Sequence, residues 1–164
     1  MAGADLGRPL QQLDRFQALP RSYVATPTTL EDVVSTSTNT KVEKIATVII
    51  PVADLDGQID FYVEKLGFEK RVDIPFADDK YRWVEVGPAD AETTIALAPP
   101  PPHKPETGNR ETGISLYAAN IDAYYDQLKA AGVDVDDEIS RMGDPVPPMF
   151  WLRDPEGNSL MVIG

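Results

Sequence analysis

The chain has 164 residues, 42% of them hydrophobic, which is enough for one globular domain with a sizeable core. Its formal net charge of −12 argues against nucleic-acid binding and fits either a cationic ligand or simply an acidic, soluble surface. There is no cysteine, which excludes disulfides, thiolate catalysis and thiolate metal sites; no apolar run approaches the roughly 20 residues of a membrane span, and the first residues show no secretory leader, so a cytoplasmic protein is expected.

Residues 1–42 differ from the rest. Leu10, Leu13 and Phe16 recur at helical spacing within 9–19, Thr28 or Thr29 can cap a second short helix with Glu31 and Asp32 in its first turn, and Ser35 to Thr40 are all polar. This part reads as a mobile N-terminal extension.

From Lys44 the pattern tightens. Ile45–Val52 is a β-rich run. Asp54 then caps a helix whose Leu55, Ile59, Tyr62, Val63 and Leu66 share one face, and Gly67 ends it. Strands are expected at 68–74, 81–86 and 93–98. Pro99–Pro102 cannot enter a sheet interior, so 99–111 is an extended linker. The order then recurs: strand 113–118, helix 121–131, and strands 133–139, 149–153 and 158–163. The turn between the last two strands is marked by Asp154-Pro155-Glu156-Gly157-Asn158. Val52 and Ala118 are 66 residues apart, as are Leu55 and Ile121, whereas the helix-ending Gly67 and Gly132 are 65 apart. The chain therefore reads as an extension (1–42), a first βαβββ module (43–98), a linker (99–111) and a second βαβββ module (112–164), an internal duplication.

Two stretches carry a resemblance. They are Val52-Ala53-Asp54-Leu55 running through Asp60-Phe61-Tyr62 to Leu66-Gly67-Phe68, and Arg153-Asp154-Pro155-Glu156-Gly157-Asn158, with a second β-α half between them. In this order they resemble the vicinal oxygen chelate superfamily, the glyoxalase/bleomycin-resistance/extradiol-dioxygenase group, over roughly residues 43–164. The resemblance implies an α+β fold in which two βαβββ modules form a curved mixed sheet around a cup, with helices on the outer face. It also implies a homodimer. Metal-using members place four ligands in the cup, usually His, Gln or Glu, on the first and last strand of each module.

Here those positions hold Thr47, Ala96, Gly113 and Met161, none of which suits Zn²⁺, Fe²⁺, Ni²⁺ or Mn²⁺. A slip of one residue brings in only aliphatic side chains and Thr112. The only histidine, His103, falls in the proline linker and reads as a solvated loop residue. The expectation is a metal-free branch with no cofactor.

Strand alternation selects the side chains that face the cup with those positions. They are Thr47 and Ile49 on the first strand, Tyr81, Trp83 and Glu85 on the third, Thr94, Ala96 and Ala98 on the fourth, and Gly113, Ser115 and Tyr117 on the fifth. The seventh strand contributes Met149 and Trp151, and the eighth Ser159, Met161 and Ile163. The candidate ligand-binding residues are thus Thr47, Ile49, Tyr81, Trp83, Glu85, Ser115, Tyr117, Met149, Trp151 and Met161. Such an aromatic, Met-lined cup with one carboxylate suits a planar or cationic small molecule.

Three readings stay open. In the first, the protein sequesters a drug or metabolite. In the second, it is a metal-independent isomerase or lyase with Glu85 as acid or base, its pKa raised by the apolar cup. In the third, it is a non-catalytic dimeric interaction module with the aromatics buried between chains. Ser115 has no histidine partner for a triad, and no glycine loop for phosphate is present. The acidic run Asp134-Asp136-Asp137-Glu138 reads as a solvated strand edge, and Arg141–Pro145 as a flexible loop able to gate the cup.

Overall fold

The computed structural model describes residues 41–164 except Asp79, so residues 1–40, which hold the short helices read in the extension, lie outside the described residues. Each half of the repeat forms its own four-stranded mixed sheet. The first contains β1 (Thr47–Pro51), β2 (Glu69–Phe76), β3 (Tyr81–Gly87) and β4 (Thr94–Ala98), in the order β1-β4-β3-β2. The second contains β5 (Glu111–Tyr117), β6 (Asp134–Val135), β7 (Met149–Arg153) and β8 (Ser159–Ile163), in the order β5-β8-β7-β6. In both, the first strand pairs parallel with the last and the other pairs are antiparallel. The α+β fold expected from the sequence is the one observed.

One helix covers each sheet. α1 (Leu55–Asp60) is capped by Asp54, whose side chain accepts the Gly57 N–H at 3.1 Å. α2 (Ile121–Ala130) is capped by Asn120, which accepts the Ala123 N–H at 3.1 Å. The core lies between sheet and helix. Ile50, Val52, Val84, Val86 and Leu97 pack with Ile59, Tyr62 and Leu66 in the first module, and Phe150, Leu152, Leu160 and Val162 pack with Tyr125 and Leu128 in the second. Alternation is clearest in β5 and β7, where buried or half-buried positions alternate with more open ones.

Three local departures from the sequence reading have identifiable causes. The first helix is not regular throughout, because Phe61–Lys65 winds as a π-helix after α1. A π turn accommodates an additional residue, and that extra residue is why the repeat offset falls from 66 to 65 between helix start and helix end. The strand expected at 133–139 is reduced to Asp134–Val135. Beyond it the Asp136 carboxylate accepts the Trp151 N–H at 3.0 Å and pairs with Arg153 at 2.7 Å, so a side chain takes a place in the ladder. The same contacts correct the reading of Asp136 as part of a solvated edge. Finally, β2 carries a bulge between Lys70 and Val72 and runs on to Phe76.

The Asp154–Asn158 turn ties the second module to the first. Asp154 is buried, and its carboxylate accepts the N–H groups of Glu156 (2.9 Å) and Asn158 (2.8 Å) and the Asn158 side-chain amide (2.8 Å). Gly157 sits at φ 81°, and a Cβ there would lie 2.6 Å from Asn109 Oδ1, so both backbone conformation and space demand glycine. The turn places Glu156 Oε1 on the N–H groups of Ala53 (2.7 Å) and Asp54 (2.9 Å), at the start of α1. Lys65 reaches the Ala131 carbonyl at 3.0 Å, and the Tyr124 hydroxyl donates to the Leu66 carbonyl at 3.1 Å, so the helix ends also meet. Burial and the neighbouring Asp154 charge push the Tyr62 phenol well above its ordinary range, which keeps it protonated.

Two stability measurements test these ties. Glu156→Ala strips the acceptor from two N–H groups at the α1 terminus and is expected to cost about 1–2 kcal/mol in urea unfolding; a value indistinguishable from wild type would contradict the tie. Asp73 bonds Lys70 and the Arg82 guanidinium, which also reaches Asp56 in the first turn of α1. These bonds hold the Asp73 carboxyl down to about 2. The contribution is therefore complete above the ordinary value of 3.8 and is lost as pH falls through about 2. Asp73→Asn should flatten the stability profile in that acid window and leave its shape near neutrality unchanged.

Candidate functional site

The candidate residues fall on one face of each sheet, opposite the helices. In the first module Val72, Glu85, Ala96 and Ile49 form a row across four strands. Next to it Ile74 pairs with Trp83, and at the hairpin end Phe76 pairs with Tyr81, their rings 5.5 Å apart. In the second module Trp151, Met161 and Ser115 form the equivalent row, and Met149, Ile163 and Tyr117 the next. Ile49 is 55% exposed, Tyr117 74% and Trp151 36%, so a single chain leaves both faces open to solvent. The structure thus gathers Thr47, Ile49, Tyr81, Trp83 and Glu85 on one sheet and Ser115, Tyr117, Met149, Trp151 and Met161 on the other.

The two equivalent rows have diverged chemically. At matching positions, 66 residues apart, the first has Glu85 and the second Trp151. Glu85 is half-buried. Its Oε1 accepts the Trp83 indole N–H at 2.9 Å and its Oε2 accepts the Thr94 hydroxyl at 2.8 Å. In the second module the nearby carboxylate, Asp136, is taken up by the Trp151 backbone N–H and Arg153.

Val72, Ile74 and Phe76 of β2 were missed as members of the first face. Their signal is the alternation with Arg71, Asp73 and Pro75. Gly113 does not continue a regular strand. It sits at φ 71° in an irregular stretch of β5, where the Thr112 hydroxyl donates to the Ser159 carbonyl and accepts the Ile114 N–H.

The four positions at which a metal would be held do not fit one. The Thr47 hydroxyl donates to the Thr94 carbonyl at 3.2 Å, Ala96 and Gly113 offer no donor atom, and Met161 offers only a thioether. Glu85, beside Ala96, is the one carboxylate in the first module's row, and its oxygens are engaged as above. His103 is exposed in the linker.

A cavity of about 590 Å³ lies elsewhere, at the junction of the modules. Val48 and Ile95 of the first module, Ile114 and Leu116 of the second, and Phe68 and Tyr124 line it, so its wall is mostly the helix-side set. Thr94, Ser115 and Tyr117 also touch it, but Trp83, Glu85 and Trp151 do not. Burial raises the Tyr124 phenol to about 12.

Residues 44–162 match the profile of the Glyoxalase/Bleomycin resistance protein/Dioxygenase superfamily, and the chain belongs to that family. A structure of a superfamily member from Sphaerobacter thermophilus DSM 20745 is 33% identical, with a TM-score of 0.68, over 74% of this chain and 97% of that one. TnmS3, an antibiotic binding protein from Streptomyces sp. CB03234, is 29% identical with a TM-score of 0.65, over 76% of this chain and 98% of its own. YurT of Bacillus subtilis (strain 168), an uncharacterized protein, is 32% identical over 73% of this chain and 98% of its own.

The donor set leads to a direct expectation. Elemental analysis of purified protein should find far less than one equivalent of Zn, Ni, Mn or Fe per chain, and adding these ions should leave the thermal midpoint in place. A stoichiometric ion that survives dialysis would contradict it.

Proposed function

We propose that the protein is a metal-free binder of a small aromatic or cationic molecule, sequestering a drug or metabolite in the cytoplasm. The reading rests on one observation. The faces that carry the family's metal-ligand positions hold no usable donors at those positions, and instead present Trp83 with Glu85 on one sheet and Trp151 with Met161 on the other. Indole faces supply stacking area, and the carboxylate supplies a counter-charge. The net charge of −12 favours the approach of a cation. The similarity to TnmS3, an antibiotic binding protein, supports the same reading.

The active form in this reading is a homodimer. Each open face exposes apolar side chains, among them Ile49, Phe76 and Tyr117, and a second copy would cover them. Sedimentation velocity is expected to show a dimer, and a monomer at micromolar concentration would remove that part of the proposal.

Binding is testable with two planar probes, the cation proflavine and the uncharged 9-fluorenone, followed by quenching of tryptophan emission and by thermal shift. Proflavine should bind more tightly than fluorenone, with the difference shrinking as salt rises. Trp83→Ala should weaken both by about threefold to tenfold. If neither probe nor any member of a panel of aromatic antibiotics binds, the sequestration reading loses its basis.

A further inference from the structure

We propose that Glu85 is a positioning residue, which brackets Trp83 as a fixed aromatic wall of the first module's face, and is not an acid or base. The inference rests on the binding reading above but concerns how the site is pre-organised. Trp83 and Glu85 are two residues apart on β3 and so project from the same face. An indole on an open sheet face is free to swing about its side-chain torsions unless something fixes its edge. Glu85 Oε1 does so by accepting the indole N–H at 2.9 Å.

The carboxylate is itself fixed from the neighbouring strand. Thr94 on β4 is buried and donates its hydroxyl to Glu85 Oε2 at 2.8 Å, while the Thr94 carbonyl accepts from Thr47 on β1. The bracket therefore runs Trp83–Glu85–Thr94 across two strands, with Thr47 behind it on a third. Both carboxylate oxygens hold donors of the protein itself. That arrangement orients a ring, whereas a general base directs a free oxygen at the substrate.

The second module provides the contrast. At the position equivalent to Glu85 stands Trp151, and Asp136, the carboxylate beside it, takes its backbone N–H at 3.0 Å, so that among the described residues no side chain brackets its indole. The first module thus supplies the rigid wall with a fixed negative charge, and the second an adaptable apolar one beside Met161. Rigid aromatic area costs less entropy on binding, so the bracket raises affinity for any planar ligand, charged or not.

The test separates positioning from charge. Glu85→Gln removes the charge but keeps an oxygen for the indole and an amide next to Thr94; Glu85→Leu removes both. In a Trp151→Phe background, where Trp83 is the only tryptophan, its time-resolved anisotropy should stay slow in Glu85→Gln and gain a fast component in Glu85→Leu. Thr94→Val, close to isosteric, should give a smaller fast component and serves if Glu85→Leu does not fold. With Trp151 intact, 9-fluorenone affinity should be kept in Glu85→Gln and fall about fivefold in Glu85→Leu. If Glu85 acted through charge alone, both variants would weaken proflavine equally and leave fluorenone unchanged. That result, or an immobile Trp83 in Glu85→Leu and Thr94→Val, would overturn the inference. A wild-type protein that binds neither probe, with Trp83 still released by Glu85→Leu, would instead sink the binding reading and leave the bracket standing.

Discussion

The buried carboxylate of Asp154 is the interaction on which the arrangement of the modules depends. A carboxylate out of water needs donors, and here three of them come from the next four residues, which closes the turn tightly. Once closed, the turn sets Glu156 on the backbone donors that open α1. One end of the junction between modules is thereby tied by a side chain of the second module to the backbone of the first. At the other end, the first module's own β3–β4 connection (Gly87 to Thr93) contributes Gly87, Pro88, Ala91 and Thr93 to the wall of the junction cavity. Duplication alone would have made the two ends alike; the differing turn sequences gave one the Glu156 tie and left residues of the other lining the junction cavity.

The same divergence governs the faces. Two copies of one module begin with equivalent rows of side chains, and a symmetric pair of rows would favour a symmetric ligand. Substituting a carboxylate in one row and an indole in the other gives the pair a polarity. The carboxylate is tolerable because Trp83 and Thr94 supply its hydrogen bonds at a half-buried position, without which its desolvation would be unfavourable.

Much of this was legible from alternation and from the repeat. Period-two burial in β3, β5, β7 and β8 follows the apolar pattern, so the facing of Trp83, Glu85, Trp151 and Met161 could be read without coordinates. The cap at Asp54 was visible as a residue type, and the structure adds its counterpart Asn120, 66 residues further along. The offset change from 66 to 65 records the extra residue of the π-helix at Phe61–Lys65, which only the backbone winding reveals. What failed was local competition. Asp136 displaces a ladder bond, which no propensity for residues 133–139 reveals, and the Gly113 irregularity depends on Thr112 meeting Ser159 across the sheet.

The sequence by itself determined the two modules, their strand faces and the absence of imidazole and carboxylate side chains at the four positions equivalent to the family's metal ligands, because each of these is a matter of periodicity or residue type. Tertiary structure alone decided what Glu85 holds. Its partners are Trp83 on its own strand and Thr94 nine residues further along, brought to hydrogen-bond distance only when β3 pairs with β4. It also decided that Glu156 joins the modules across 103 residues of chain and that the open cavity lined by both modules lies at their junction. Contacts at such separation depend on how sheets and helices pack, and no local pattern encodes them.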